Sequence, residues 1–209
     1  MADKDLAELC HSLSLEDGDE PITTLDSHLK EAGSKQLGFC LAGKLILNKM
    51  VNWEAFRAII PKIWRIRQGV EVEVIRANTF IFQLKNIMDC NMVLKGGLWS
   101  FDNALLVLEV PIGSGSVAQM CFSTAEFWVQ LHNVPLLCMT KEIGHFLGKQ
   151  IGEVLEVDSG TLGGYLGKYL RTRVRIDICK PLKRFLRVDT LGNGVETIMP
   201  LKYERLPEY

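Results

Sequence analysis

The spacing of hydrophobic positions changes several times along this chain, and each change marks an element. Residues 39–47, "FCLAGKLIL", form a nearly continuous apolar run of strand length. Residues 52–66, "NWEAFRAIIPKIWRI", switch to helical spacing, with Trp53, Phe56, Ile60 and Trp64 on one stripe and Asn52 placed to cap the first turn. Pro61 is expected to kink this helix or end it early. "VEVEVI" and "TFIFQLK" alternate with period two on either side of a short turn at "RAN". "NIMDCNMVLKGGLW" is again helical until Gly96 and Gly97, and "ALLVLEV" reads as a buried strand. The order βαββαβ predicts a ferredoxin-like α+β unit, two helices on one face of an antiparallel sheet.

RNA-recognition motifs share that order and stack bases on aromatic side chains of the third strand, on the face away from the helices. Here "NTFIFQL" puts Thr79 and Ile81 at the two stacking positions and turns Phe80, Phe82 and Leu84 towards the helices. The usual platform is therefore missing, and the phenylalanines are core candidates.

"PIGSGSVAQMCFSTA" clusters Gly and Ser without charge and is the best linker in the sequence. Beyond it "EFWVQLHNVP" reads as a strand and "TKEIGHFLGKQIGEV" as a helix with Ile143, Phe146, Leu147 and Ile151 on its apolar face. Gly144, Gly148 and Gly152 recur every four residues in that helix. An interior glycine costs about 1 kcal/mol against alanine, so close backbone packing is the expected reason. "VLEVD" is a short strand, "SGTLGGYLG" a loop, and long basic strands follow. The expected division is an acidic, loosely held tail over 1–34 that includes a marginal helix in "DLAELCHSLSLED", a ferredoxin-like unit over 35–111, a linker over 112–125, and a smaller strand-helix-strand unit with basic antiparallel strands over 126–209.

Composition narrows the chemistry. The six cysteines are dispersed, no C-x-x-C pair occurs, and the four histidines are isolated, so neither disulfides, a metal site nor a cofactor is expected. The phosphate-loop spacing fails because Tyr169 follows Gly167-Lys168, and the dinucleotide fingerprint and the nucleophile elbow are also absent. These exclusions predict a binding protein rather than an enzyme. No apolar run is long enough to span a membrane and the start "MADKDLAELC" lacks the pattern of a signal peptide, so an intracellular chain is expected, in nucleus or cytoplasm.

Charge changes the picture most. The formal net charge of -1 is a cancellation: residues 1–31 hold nine acids against two bases, whereas Lys168 to Arg205 hold ten bases against four acids. In "RTRVRIDI" Arg171, Arg173, Arg175 and Asp177 share one side of a strand, opposite Thr172, Val174, Ile176 and Ile178. If the following strand pairs with it, Phe185 and Arg187 join the arginine row. A row of like charges gains little stability from itself and suits a phosphate backbone, although charge on one side of a sheet is also ordinary solvated surface. The candidate nucleic-acid-binding residues are Arg171, Arg173, Arg175, Lys180, Lys183, Arg184, Phe185 and Arg187, with Phe185 as a base-stacking side chain.

The segments "GGLWSFDNALLVLEV", "FWVQLHNVPLLCMTKEIGHFLGKQIGEVLEVD" and "KYLRTRVRIDICKPLKRFLRV" together closely resemble the plant domain of unknown function 4283. Members of that family typically derive from LINE-type retrotransposons, and the domain sits ahead of a C-x2-C-x4-H-x4-C zinc knuckle. The resemblance implies nucleic-acid binding. This sequence ends at "YERLPEY", where the knuckle would begin, and Leu98 stands where many relatives carry Pro. Zinc is therefore not expected. The expected partner is single-stranded RNA or DNA, bound without sequence preference. Self-association as an assembly module is the alternative.

Overall fold

The computed structural model describes residues 22–113, 115–158 and 169–206. The tail over 1–21, with its expected short helix, and the loop "SGTLGGYLG" lie outside the described residues. The chain divides between Gly33 and Ser34. Where the loose tail was expected to continue, helix α1 (Ser27–Leu37) forms, with no buried residue. Leu, Lys, Glu, Ala and Gln supply its intrinsic propensity, and an apolar stripe, the signal that periodicity detects, is missing.

Five strands and two helices make the first half of the larger unit: β1 (Cys40–Ile46), α2 (Trp53–Ile63), β2 (Val70–Arg76), β3 (Thr79–Leu84), α3 (Ile87–Lys95), β4 (Trp99–Phe101) and β5 (Ala104–Glu109). The sheet order is β2-β3-β1-β5-β4 and every pairing is antiparallel. Without β4 this is the ferredoxin-like order. The additional strand arises because Asp102 and Asn103 both adopt positive φ (50° and 58°), the backbone of a two-residue hairpin turn that folds Trp99–Phe101 back on β5.

The caps are as expected: Asn52 Oδ1 accepts from Ala55 N at 3.1 Å, and α2 ends two residues after Pro61. Phe56, Ile60, Trp64, Cys90 and Val93 of the helical layer pack on Leu41, Leu45, Phe80, Phe82 and Leu84. Ring centroids lie 4.5 Å apart for Phe56–Phe80 and 4.7 Å for Trp64–Phe82. Burying such side chains is worth about 1.5–3 kcal/mol each, which makes this layer the main stabiliser of the half. Trp53, at the first helical position, remains exposed.

The opposite face of this sheet is also interior. Ala42, Leu105 and Val107 share a buried cluster with Phe122, Ala125, Phe127 and Val129 of the second half, Ile81 packs against it, and Thr79 is fully buried. The surface on which an RNA-recognition motif would stack bases is therefore core here. The Gly/Ser stretch contributes to that cluster through Val117 and Met120, and its short 3-10 turn, Val117–Gln119, is capped by Ser116 and held by Arg76 Nη2 donating to Ala118 O at 2.9 Å.

The second half contains β6 (Thr124–His132), α4 (Lys141–Lys149), β7 (Glu153–Val157), β8 (Tyr169–Asp177), β9 (Phe185–Asp189) and β10 (Glu196–Tyr203), in the sheet order β7-β8-β6-β10-β9. α4 lies on the apolar face, and its glycines explain the fit. A Cβ on Gly144 would stand 2.8 Å from Val157 Cγ1, and one on Gly148 2.8 Å from Val154 Cγ2. Phe146, expected on the buried side, is exposed. β10 was not anticipated, and it changes the topology. Its first part, Glu196 to Pro200, pairs with β9, and its last part, Leu201 to Tyr203, pairs with β6. β8 and β9 are consequently separated by two strands and do not pair.

Candidate nucleic-acid interface

The polar face of the second sheet assembles by strand alternation. β8 runs antiparallel to β6 in a register that sets Arg171 opposite Gln130, Arg173 opposite Trp128 and Arg175 opposite Glu126. The arginine row expected from the sequence exists, but its charge is spent inside the molecule. Arg171 donates through Nε to Glu204 Oε1 (2.9 Å), through Nη2 to Glu204 Oε2 (2.8 Å) and through Nη1 to Asp158 Oδ2 (3.1 Å). Arg173 Nη2 lies 2.8 Å from Glu126 Oε2. Arg175 bridges Glu126 Oε1 (2.9 Å) and Glu153 Oε2 (2.8 Å). The free row is thus corrected to an ion-pair ladder, because the neutralising acids come from β6, β7 and the residue after β10, remote in sequence from the strand that carries the bases.

These pairs shift proton affinities in the expected directions. Hydrogen bonds to Glu204 and Glu126 raise Arg171 and Arg175 further above their ordinary values, and the bond from Arg171 holds Glu204 below the usual carboxylate range. Two guanidiniums of this half also satisfy the carboxyl end of α3: Arg173 Nη2 donates to Leu94 O (3.4 Å) and Arg205 Nη1 to Gly96 O (2.8 Å). The last carbonyls of a helix lack intrahelical donors and carry partial negative charge, so cations there are stabilising.

The remaining candidates lie elsewhere. Lys180 pairs with Asp177 at 3.1 Å, three residues away. Lys183 Nζ donates to Gln150 O. Arg187 pairs with Glu196, its Nη2 at 2.6 Å from Oε2, and sits on the edge strand with Phe185, two strands from the ladder. Arg184 is exposed and its guanidinium has no partner among the described residues, and Phe185 is 51% exposed. The expectation that β9 borders the arginine row is therefore corrected, since β6 and β10 lie between them.

Several side chains that the sequence reading passed over complete this face. Register places Trp128, Gln130 and His132 of β6, Tyr169 of β8, and Ile198, Pro200 and Lys202 of β10 on the same side as Arg171, Phe185 and Arg187. The Arg171 guanidinium stacks on Trp128 with Cζ 3.9 Å from the ring centroid, and His132 and Tyr169 lie 5.1 Å apart. Lys202, Ile198, Pro200 and Arg187 are exposed, while Trp128, His132 and Tyr169 are half-buried. The sheet thus presents four aromatic side chains, counting His132 and Phe185, among cations. The signal was available in "FWVQLH", where Trp128 and His132 share the parity of the polar Glu126 and Gln130.

Residues 33–110 match the family described as a domain of unknown function, DUF4283. They are a DUF4283 domain. This chain is also 29% identical over 84 residues to uncharacterized protein At4g02000 of Arabidopsis thaliana, a match covering 40% of this chain and 26% of that protein. The chain thus spans about a quarter of the relative's length. The DUF4283 domain coincides with the first half, and the aromatic and cationic sheet face lies wholly beyond it.

A cleft of about 850 Å³ separates the end of α3 and the distal part of β5 in the DUF4283 domain from β7 and β8, with Arg173, Arg175 and Glu126 on its wall. Its charged groups are largely those of the ladder. Among the described residues no cluster of three or more His, Cys, Asp or Glu side chains is arranged to hold a metal, and no helix is long and apolar enough to cross a membrane.

Proposed function

We propose that the protein binds single-stranded nucleic acid, RNA or DNA, without sequence selection, through the polar face of the second sheet. One observation carries this reading: Trp128, His132, Tyr169 and Phe185 stand on a single sheet face among Arg171, Lys202 and Arg187, with the exposed Arg184 preceding Phe185 in the chain, while Lys183 reaches Gln150 O on the α4 side of the sheet. Aromatic rings accept any base by stacking, worth about 1–3 kcal/mol per base, and interleaved cations follow the phosphates. The contact set differs from the one the sequence suggested. Arg173 and Arg175 act as structural ladder members, and binding falls to Arg184, Phe185, Arg187, Lys202 and the exposed edges of Trp128 and Tyr169. Arg187 can exchange Glu196 for a phosphate at small cost, because exposed ion pairs are worth only about 0–1 kcal/mol. The resemblance to the DUF4283 family, which implies derivation from LINE-type elements and nucleic-acid binding, supports the same reading.

Photocrosslinking tests it. A uridine-rich strand carrying 4-thiouridine should crosslink to peptides containing Trp128, Tyr169 and Phe185. Crosslinks confined to the DUF4283 domain, or none, would refute the assignment. Exposed Leu191, Val195 and Ile198 around the β9–β10 hairpin favour a second reading, association of two copies through that hairpin. Sedimentation of the chain free of nucleic acid separates the two, since the binding reading alone predicts a monomer.

A further inference from the structure

Next to the stacked pair of Arg171 and Trp128, a pocket of about 240 Å³ opens at the Gly96–Gly97 turn that follows α3, lined by Lys95, Gly97, Trp128, Arg171, Glu204 and Arg205. Its charges do not cancel. Arg171 and Glu204 neutralise one another in a two-pronged pair, and Arg171 gives its remaining contact to Asp158. Lys95 and Arg205 line it as well, so cations outnumber its one carboxylate. Lys95 is exposed and its ammonium has no partner among the described residues. Arg205 gives one N–H to Gly96 O and keeps its other donors, and it is exposed. Gly97, at φ +90°, keeps the mouth clear of any side chain: the nearest atom to a Cβ built there is Arg205 Nη1, at 4.0 Å.

Lys95 and Arg205 line the pocket together, so an anion held in it would meet both. A phosphodiester inside a strand carries one negative charge, whereas a phosphomonoester carries about 1.5 to 2 near neutral pH and presents three acceptor oxygens. The excess of cations over Glu204 in this small polar pocket suits the monoester, and the exposed edge of the Trp128 indole offers apolar contact to the attached nucleoside. We infer that this pocket takes the terminal phosphate of a nucleic-acid strand, so that a chain end is held beside Trp128 while the rest of the strand runs over the sheet towards Phe185. This inference rests on the proposed binding face and adds to it Lys95 and Arg205, neither of which was singled out from the sequence.

The test uses the full chain and three 12-nucleotide strands of one sequence with an internal fluorophore, bearing a 5′-phosphate, a 3′-phosphate or hydroxyls at both ends. Anisotropy should show one phosphorylated strand bound about fivefold more tightly than the hydroxyl strand, the size of a single added exposed ionic contact. In Lys95→Gln that preference should vanish while affinity for the hydroxyl strand and the melting temperature stay unchanged. Equal affinities for all three strands in the unmodified protein, or a preference that survives Lys95→Gln, would overturn the inference and leave the face intact. If no strand binds, the face fails, and the pocket is then decided by adenosine 5′-monophosphate against adenosine in amide-shift mapping. Shifts at Gly96, Gly97 and Arg205 with the monophosphate alone would sustain the pocket, and none with either would overturn it.

Discussion

Replacing Arg171 with methionine removes a guanidinium while keeping most of the aliphatic stem, and the structure allows the cost to be worked out. The pair with Glu204 is two-pronged, with the side chains 32% and 24% exposed, and the guanidinium also stacks 3.9 Å from the Trp128 ring. Charge-assisted hydrogen bonds to buried groups are worth about 1.5–3 kcal/mol, and partial exposure reduces the pair to about 1–1.5 kcal/mol. Stacking on Trp128 adds about 0.5–1 kcal/mol. The expected loss is about 2 kcal/mol. In urea, with a slope of about 2 kcal/mol/M, the unfolding midpoint of Arg171→Met should fall by roughly 1 M. A double-mutant cycle with Glu204→Gln should give a coupling of about 1 kcal/mol, since Glu204 keeps its hydrogen bond from Gln130 (2.8 Å) when Arg171 is gone. An unchanged midpoint together with a coupling near zero would refute the argument that this charge is consumed internally, and the arginine row would return as a free ligand site.

Other expectations concern packing, the face and pH. Gly148→Ala would push a methyl to 2.8 Å from Val154 Cγ2 and 3.1 Å from Thr172 Oγ1, so it should destabilise by about 1–2 kcal/mol in the same urea assay despite alanine's better helix propensity. The matched control is Gly33→Ala, where nothing lies within 4 Å, and it should be neutral or slightly stabilising. Phe185→Ala should weaken single-strand affinity roughly fivefold or more without moving the melting temperature, because the ring is exposed; a lowered melting temperature would assign it to the fold instead. Glu204 and Asp189 both titrate below their ordinary ranges, the first through Arg171 and the second through the amide of Gly194 and its neighbours. A depressed folded value means stability that is present above the unfolded pKa and lost as pH falls through the folded one. Melting temperature should therefore hold from pH 7 to 5 and fall below about pH 4. A flat profile to pH 3 would contradict both assignments.

Much of the fold is legible in the alternation of residues. Phe80 and Phe82 face the helices because successive strand residues point to opposite sides, and the βαββαβ order led directly to the sheet order of the first half. The three-residue β4 is too short to show a period, and its real signal was the Asp102-Asn103 pair in the turn. β10 escaped because Pro200, which cannot donate to a ladder, sits where that strand changes partners from β9 to β6. The candidate site depended on the same missing strand. Positive charge was visible along β8, but its compensation lies across the ladder, in Glu126 and Glu153, and after β10, in Glu204. Local sequence shows which residues share a face; only pairing shows which charges meet on it.

The most direct test of the binding face is the salt dependence of single-strand affinity, measured by anisotropy for the unmodified chain and for a triple variant with Arg184, Phe185 and Lys202 replaced by alanine. The account predicts micromolar or tighter binding whose logarithm falls linearly with the logarithm of salt concentration, by about 0.7 per phosphate contacted. The triple variant should bind at least tenfold more weakly, with a shallower slope and an unchanged melting temperature. Affinity that ignores salt, or a variant that binds as well as the parent, would contradict it.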